Sequence, residues 1–442
     1  MPRTSDREVI STRQQKIAEL ARRAPQMVLL TLAHHIDLMW LEEAYRRTRK
    51  DGAVGVDGVT AEAYEQRLHE NLSDLLERFK SGRYRAPPVR RVHIPKDGAK
   101  NKTRPIGIPT LEDKILQRAV LMALEPIYEQ DFLDCSYGFR TGRSPHQALE
   151  ALWRGLMGIG GGWVIDLDIQ SFFDSMDRTH LASFLDQRVR DGVIRRALGK
   201  WMQAGVMEEG VISYPERGSP QGGVISPLMS NIYLHEVLDQ WFEGEVKPRL
   251  RGRAFMVRFA DDALLAFERE EDARRALAVL PKRFARFGLT LHPEKTRLVD
   301  FRSPSRQGGV GSQRACSFDL LGFTHHWGRS RKGRWVVQRK TAKARFSRAV
   351  RQIGHWCRRN RHLPVAEQQR ALSRKLRGHD AYYGITGNAR ALSRFRHEAK
   401  RCWHKWLNRR SRATRLNWAA FSRLLQRYPL PPARVVHSVY VT

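Results

Sequence analysis

The 442-residue chain has few cysteines and no long uninterrupted apolar run. Its four cysteines are widely separated and none forms a CxxC pair, so neither a disulfide framework nor a zinc site is indicated, and a reducing cytoplasm fits. No apolar signal core stands at the N-terminus. The longest apolar stretch, residues 27–41, is broken by His34, His35 and Asp37 and is too polar to span a bilayer. We therefore expect no membrane partner.

Acidic residues are scarce towards the C-terminus. Residues 331–442 contain 29 Lys and Arg against three acids, a net charge of +26, whereas residues 1–330 contain 50 against 43, or +7. With three acids available for pairing, a salt-bridged helical surface explains this segment poorly. A nearly neutral body with a strongly basic end indicates a polyanionic partner, most simply nucleic acid.

Helical and strand patterns are mixed up to about residue 325, and helical patterns prevail from about 340, which predicts an α+β fold with a domain boundary between 326 and 340. Residues 88–95 and 104–109 predict a hairpin with a basic tip. Thr110 followed by Asp113 resembles a capping box that opens a helix. The remaining expected elements are strands at 163–169 and near 289–301 and 317–325, a hairpin at 254–268, and helices from Ser226-Pro227 and over about 271–287.

Two adjacent aspartates, Asp261 and Asp262, lie in the predicted 254–268 hairpin. An Asp-Asp pair is ordinary turn chemistry, so the pair alone leaves a plain turn and a metal site open. Phosphodiester synthesis with two magnesium ions needs several carboxylates on rigid backbone. Asp166 and Asp168, on one face of the predicted 163–169 strand, offer a further ligand, since acids among apolar strand residues are costly unless something pairs them.

Short motifs in a fixed order connect these aspartates. Residues 168–174 (DIQSFFD), 218–223 (GSPQGG) and 259–262 (FADD) resemble, in order and spacing, the palm motifs of reverse transcriptases. The closer resemblance is to group II intron-encoded reverse transcriptase–maturases, and it covers about residues 40–430. Further similar segments are KTRPIGIP at 102–109, YGFRTGRSPHQAL at 137–149, LHPEKT at 291–296, LLGF at 320–323 and LRGHDAYYGITGN at 376–388.

The resemblance implies a right-hand polymerase, with fingers and a palm on antiparallel sheet, followed by an all-helical thumb or maturase domain. The expected divisions begin with an N-terminal helical extension at 1–80, fingers at 81–160 and a palm at 161–330, with part of the fingers inserted within the palm. A helical thumb or maturase domain at 331–410 follows. The basic segment at 411–442 is a candidate DNA-binding element.

The resemblance also assigns roles to individual residues. Asp168, Asp261 and Asp262, with the Ile169 carbonyl, would hold two Mg²⁺ ions, and the bulky Phe173 would exclude a ribose 2′-hydroxyl. The other nucleotide contacts would be Lys96, Arg104, Gln221 and Lys295, with Lys295 also a candidate general acid. The contacts to nucleic acid would be Gly222, Gly223, Arg258, Lys340, Lys343, Arg358, Arg359, Arg409 and Arg410. For Lys96, Arg104 and Lys295 plain surface charge is the alternative.

The implied function is an RNA-directed DNA polymerase that binds its parent intron RNA, assists splicing and copies the RNA during retrohoming. Its partners would be structured intron RNA, an RNA template with a DNA primer, deoxynucleotides and target DNA, for a monomer or homodimer in the bacterial cytoplasm, at the nucleoid or in a ribonucleoprotein. Two alternatives stay open. One is a splicing cofactor with a vestigial polymerase, and the other is a host-adopted enzyme of DNA repair or phage defence.

Two departures from the family pattern bear on these expectations. Phe259 stands where the family usually has Tyr, which removes a hydroxyl and leaves both carboxylates. The zinc-containing HNH endonuclease of many relatives, with its CxxC pairs, has no counterpart here. We therefore expect the primer to come from elsewhere, such as a nascent strand at a replication fork.

Overall fold

A computed structural model describes residues 4–95, 103–214, 218, 222–306, 316–410 and 416–438. The chain forms two compact units. The first unit comprises Met1–Ala148 and Val164–Leu298, and the second comprises Leu149–Trp163 and Val299–Thr442. The expected domain boundary, between residues 326 and 340, does not coincide with this division. The strands within residues 318–341 belong to the second unit, together with the C-terminal helices.

The α-helices of the first unit alternate with short strands. They are α1 (Thr4–Arg23), α2 (Leu38–Arg47), α3 (Ala61–Glu65), α4 (Leu68–Lys80), α5 (Leu111–Asp131), α7 (Phe172–Ser175), α8 (Arg178–Asp186), α9 (Gly192–Met202), α10 (Ser226–Leu234) and α11 (Glu270–Arg286). Two π-helical segments, His235–Asp239 and Phe242–Val246, continue α10. Helix α6 (Pro145–Ile159) begins in the first unit and lies mostly in the second, which also contains α12 (Lys343–Arg359), α13 (Val365–Tyr383), α14 (Ala389–Leu407) and α15 (Trp418–Arg427).

The described strands form three sheets. The first sheet has the order β2-β1-β4-β5, from β1 (Val89–Pro95), β2 (Thr103–Ile108), β4 (Val206–Glu208) and β5 (Val211–Ser213). The second has the order β6-β7-β3-β8, from β3 (Trp163–Leu167), β6 (Ala254–Phe259), β7 (Asp262–Phe267) and β8 (Arg297–Asp300). The third has the order β11-β10-β9, from β9 (Phe318–Leu320), β10 (Phe323–Arg329) and β11 (Trp335–Thr341).

The predicted β1–β2 hairpin and the helix after it are confirmed. β1 pairs antiparallel with β2, with Ile94 opposite Arg104. The Thr110 hydroxyl accepts a 3.2 Å bond from the Asp113 amide, which caps α5 as the sequence predicted. Helix α5 then packs on α1 and α2, and Trp40 donates to the Ala119 carbonyl at 2.9 Å. These helices form one packed layer of the first unit.

The second unit encloses its own apolar core. Its amphipathic helices α12 to α15 bury Cys357, Leu372, Phe395, Trp403 and Phe421. The Trp403 indole donates to Gln368 at 3.0 Å, so its N–H is satisfied inside that core. The mixed helix and strand architecture followed by a helical C-terminal region confirms the expected fold class. Among the described helices, none is long and apolar enough to cross a membrane.

Candidate active site

The predicted carboxylate hairpin is present as β6 and β7. Phe259 pairs with Asp262, so Ala260 and Asp261 are the two central residues of the turn. Ala260 has φ 57°, a left-handed conformation in which a two-residue hairpin turn usually places Gly. A non-glycine residue in this region costs on the order of 1–3 kcal/mol and persists where the surrounding structure fixes it. Asp261 is half-buried and Asp262 is exposed.

The buried side chain of Arg258 donates a hydrogen bond to the backbone of this turn and holds it in place. Arg258 is 0% exposed and its guanidinium bonds both oxygens of Asp239, at 2.7 and 2.6 Å. Its other bonds go to Asn231 at 2.9 Å, to Ser136 at 2.8 Å and to the Ala260 carbonyl at 3.0 Å. These five bonds use all five N–H donors of the guanidinium. The expectation that Arg258 contacts nucleic acid is therefore wrong, because no donor is left for a phosphate.

The loop before α6 is attached to the same strand. The Arg258 amide donates to the Cys135 carbonyl at 2.8 Å, and the Tyr137 amide donates to the Arg258 carbonyl at 2.9 Å. The Asn231 amide donates to the Gly138 carbonyl at 2.8 Å. A Cβ on Gly138 would lie 2.2 Å from the Ala260 nitrogen, so only glycine permits this contact. The turn is thus held on two sides.

Asp168 follows directly after β3, which is the sheet neighbour of β7. The Asp168 carbonyl accepts from the His292 amide at 2.8 Å and from the Thr296 hydroxyl at 3.2 Å. Its side chain accepts from Lys295 at 3.1 Å on each oxygen. Two residues earlier, Asp166 is paired with Arg297 at 3.2 Å. The segment 289–296 therefore fixes both the backbone and the charge of Asp168.

Asp168, Asp261 and Asp262 suit a hard divalent cation in chemistry, since all their donors are oxygen. Among the residues that the structure describes, no group of three or more His, Cys, Asp or Glu side chains is arranged to hold a metal ion. Lys295 is paired with the Asp168 carboxylate in this arrangement. The oxygen donors of the three aspartates fit magnesium in type.

The predicted sugar-contacting segment is held tightly. Ser171 has φ 46°, Phe172 is buried, and Phe173 is half-buried with its ring 5.4 Å from that of Phe172. The Gly218 amide donates to the Met176 carbonyl at 3.0 Å, and a Cβ on Gly218 would lie 2.8 Å from the Phe173 carbonyl. The structure thus brings Gly218, the first residue of the 218–223 motif, next to the end of the 168–174 motif.

Of the remaining predicted contacts that the structure describes, Arg104 lies on β2, and Gly222 and Gly223 lie in the loop before α10. A Cβ on Gly222 would lie 2.3 Å from the Gly107 carbonyl, so this loop contacts β2. Arg104, on the same strand, is exposed. Gly223 is half-buried. Lys96 and Gln221 lie outside the described residues.

The predicted cations of the second unit are all exposed; they are Lys340, Lys343, Arg358, Arg359, Arg409 and Arg410. Two of them line an open groove of about 980 Å³ bounded by β10, β11, α12 and α14. Arg390 and Arg394 line the same groove, with Glu398 as its one acidic lining residue. A second cluster surrounds Trp406, whose ring lies 5.1 Å from the Arg409 guanidinium and 5.8 Å from that of Arg358.

The sequence did not predict that Asp239, Asn231 and Ser136 hold the Arg258 side chain. One signal was available, since Arg258 is the one charged residue of the apolar segment 254–259 and Asp239 is an acid that could pair with it. Such acids and bases are rarely buried unless they pair with each other. The π-helical course of residues 235–239, which carries the Asp239 side chain, has no sequence signature that we could use.

Parts of this chain are similar to known proteins. Protein YkfC of Escherichia coli is 41% identical over 240 residues, covering 53% of this chain and 62% of that protein. Group II intron-encoded protein LtrA of Lactococcus lactis subsp. cremoris is 33% identical over 250 residues, covering 54% of this chain and 41% of LtrA. Nuclear intron maturase 2, mitochondrial, of Arabidopsis thaliana is 31% identical over 176 residues, covering 31% of this chain and 24% of that protein.

The match therefore spans less than two thirds of the length of each of these relatives. Residues 94–325, more than half of the chain, match the family model described as reverse transcriptase (RNA-dependent DNA polymerase). That range contains the carboxylate hairpin, Asp168 and the loops that support them. The chain belongs to the reverse transcriptase family.

Proposed function

We propose that this chain is an RNA-directed DNA polymerase that binds its parent group II intron RNA, assists splicing and copies that RNA into DNA during retrohoming. The observation that carries the proposal is the placement of carboxylates on adjacent strands, with Asp168 after β3 and Asp261 and Asp262 at the start of β7. Family membership supports the polymerase activity. The intron-encoded and maturase names of two relatives support the RNA partner.

Two magnesium ions would be held by Asp168, Asp261 and Asp262 with help from the Ile169 carbonyl. When bound, such ions activate the primer 3′-hydroxyl and neutralise the leaving pyrophosphate. The rigid mounting of the Ala260–Asp261 turn on Arg258 favours this role, because catalytic carboxylates must be held in place. Lys295, released from Asp168, would present its ammonium to a substrate phosphate.

The nucleotide would be selected by residues around the same sheet. Phe173 would occupy the space that a 2′-hydroxyl needs, so deoxynucleotides are preferred. Arg104 suits a triphosphate because its planar guanidinium bonds phosphate oxygens in pairs, and Lys96 would add a point charge. Gln221 and the backbone of Gly222 and Gly223 would line the nucleotide pocket and the template.

The second unit would bind RNA through its exposed cations. Lys340, Lys343, Arg390 and Arg394 line one groove, and a groove with this charge suits the closely spaced phosphates of structured RNA. The segment 411–442, of which the structure describes residues 416–438, is the candidate contact for target DNA. These exposed cations also favour a second function, that of a splicing cofactor, which does not require Asp168.

Primer extension tests the proposal directly. With magnesium, the purified chain should extend a DNA primer on an RNA template, and D261A should reduce the rate on the order of a thousandfold or more. The matched control is E268A at the other end of the hairpin, where Glu268 is paired with Arg253 at 3.0 Å. Undiminished extension by D261A would show that the assigned site is wrong. Protein-dependent intron splicing that tolerates D168A would instead favour the cofactor function.

A further inference from the structure

Phe139, beside the carboxylate turn, has an aromatic side chain that lies mostly outside the packed interior. Phe139 is 63% exposed, whereas its neighbours Gly138 and Arg140 are buried. Its φ of 56° is a left-handed conformation that bulky residues rarely adopt. Among the described residues, the Phe139 ring has no aromatic or cationic partner. Exposure and strain together indicate that something other than stability requires a large ring here.

The backbone on each side of Phe139 is fixed. The Gly138 carbonyl accepts from Asn231, and its Cα touches the Ala260 amide so closely that a Cβ would lie 2.2 Å away. On the other side, Arg140 is 7% exposed and bonds the carbonyls of Leu133 and Ser136 at 2.7 and 2.9 Å. The Arg140 guanidinium is also paired with Glu129 at 3.0 Å. The loop that carries Phe139 is therefore held in place by contacts on both sides of this residue.

The position of this loop determines which ligands can contact the Phe139 ring. Gly138 touches Ala260, the residue before Asp261, so Phe139 is one residue from a direct contact with the turn that carries the proposed metal ligands. Any primer and template that reach Asp261 and Asp262 must pass close to this turn. Aromatic rings bind nucleic acid by stacking on bases, a contact that tolerates any sequence because every base has a flat face.

We propose that Phe139 is a contact residue for the RNA–DNA primer–template beside the reaction site, where its exposed ring stacks on a base or sugar. This inference rests on the proposed polymerase function and adds a residue to it. The fixed backbone and the two side-chain torsions of a Phe leave little conformational entropy to lose when nucleic acid binds. A protein partner at this ring is the competing occupant.

Substitution by glycine separates the proposal from a structural role. Glycine adopts positive φ without strain, so F139G should leave the melting temperature unchanged or raise it. It should also weaken binding of a fluorescently labelled RNA–DNA primer–template about 5- to 100-fold, the loss expected for one stacking contact. F139W should bind like the wild type. The control is Y214A, which removes another exposed ring, 70% exposed, from the same unit and should leave affinity unchanged.

Binding is measured by anisotropy without divalent metal, so the result does not depend on catalysis. Wild-type affinity in F139G would overturn the proposal and would leave a protein partner as the occupant. A melting temperature that falls together with affinity, without rescue by F139W, would overturn it in favour of a packing role. If binding depends on Phe139 and the wild type extends no primer, the contact stands and the proposed polymerase function fails.

Discussion

The two compact units use charge in opposite ways. In the first unit, Arg258 is buried against Asp239, and Arg188 is nearly buried against Asp131 at 2.7 Å. In the second unit, Lys340 and Lys343 are exposed and have no carboxylate partner among the described residues. A buried pair is costly to desolvate and contributes mainly a unique geometry, whereas unpaired surface cations contribute long-range attraction for a polyanion. This contrast agrees with our proposal that the first unit positions reacting groups and the second binds nucleic acid.

Breaking the buried pair should have the largest effect. R258M leaves the Asp239 carboxylate buried without a partner, so we expect a loss of about 3–5 kcal/mol in the free energy of unfolding. Denaturant unfolding measures this loss. The milder R258K keeps the charge but cannot reproduce the five-bond geometry, so it should lower primer extension per folded molecule.

The control for this prediction is R188K in the same unit. Arg188 bonds Asp131 and the carbonyls of Ala24 and Met27, and none of these contacts reaches the carboxylate hairpin. R188K should destabilise the protein yet leave extension per folded molecule unchanged. Equal losses of extension in both variants would mean that Arg258 acts through stability alone.

Features that depend on residues close in sequence were predictable, and those that depend on distant partners were not. The Thr110 cap, the β1–β2 hairpin and the β6–β7 turn depend on neighbouring residues, and all three were predicted. The β4–β5 hairpin was missed because its strands are short, and β11 was missed because it lies where the sequence predicted a domain boundary. The burial of Arg258 was missed because its partner Asp239 comes from a different element, and a lone Arg in a strand usually faces solvent.

Neutralising the groove of the second unit should have the next largest effect. The variant K340Q/K343Q/R390Q/R394Q removes four lining cations, and we expect RNA affinity to fall roughly 30-fold at physiological salt. The slope of log affinity against log salt should also become shallower by roughly three, since fewer counterions are released. Filter binding across a salt series measures both.

A variant with the same charge change on α13, R370Q/R374Q/K375Q/R377Q, serves as the control. All four of these residues are exposed on that helix. If the groove is the RNA-binding surface, the α13 variant should lose clearly less affinity. Equal losses in the two variants would mean that RNA responds only to the total charge of the second unit.

An effect on stability alone should come from a buried histidine in the second unit. Burial, with the nearby Arg339 charge, lowers the pKa of His325 to about 3. The unfolded chain takes up this proton near pH 6.5 and the folded chain does not, so His325 should contribute about 2 kcal/mol to the loss of stability between pH 7 and pH 5. H325F keeps the ring that stacks on Phe318 at 5.0 Å and should remove that dependence. Unfolding at the two pH values measures it, with H355F, at an exposed histidine, as the control.

The most direct test of the central claim uses two aspartates on the same face of the β3 segment. Asp168 is the proposed metal ligand, and Asp166, two residues earlier, is paired with Arg297. In primer extension on an RNA template with magnesium, D168N should lose activity on the order of a thousandfold, while D166N should retain activity within about tenfold. Full activity in D168N, or equal losses in the two variants, would contradict the assignment of the polymerase site to Asp168, Asp261 and Asp262.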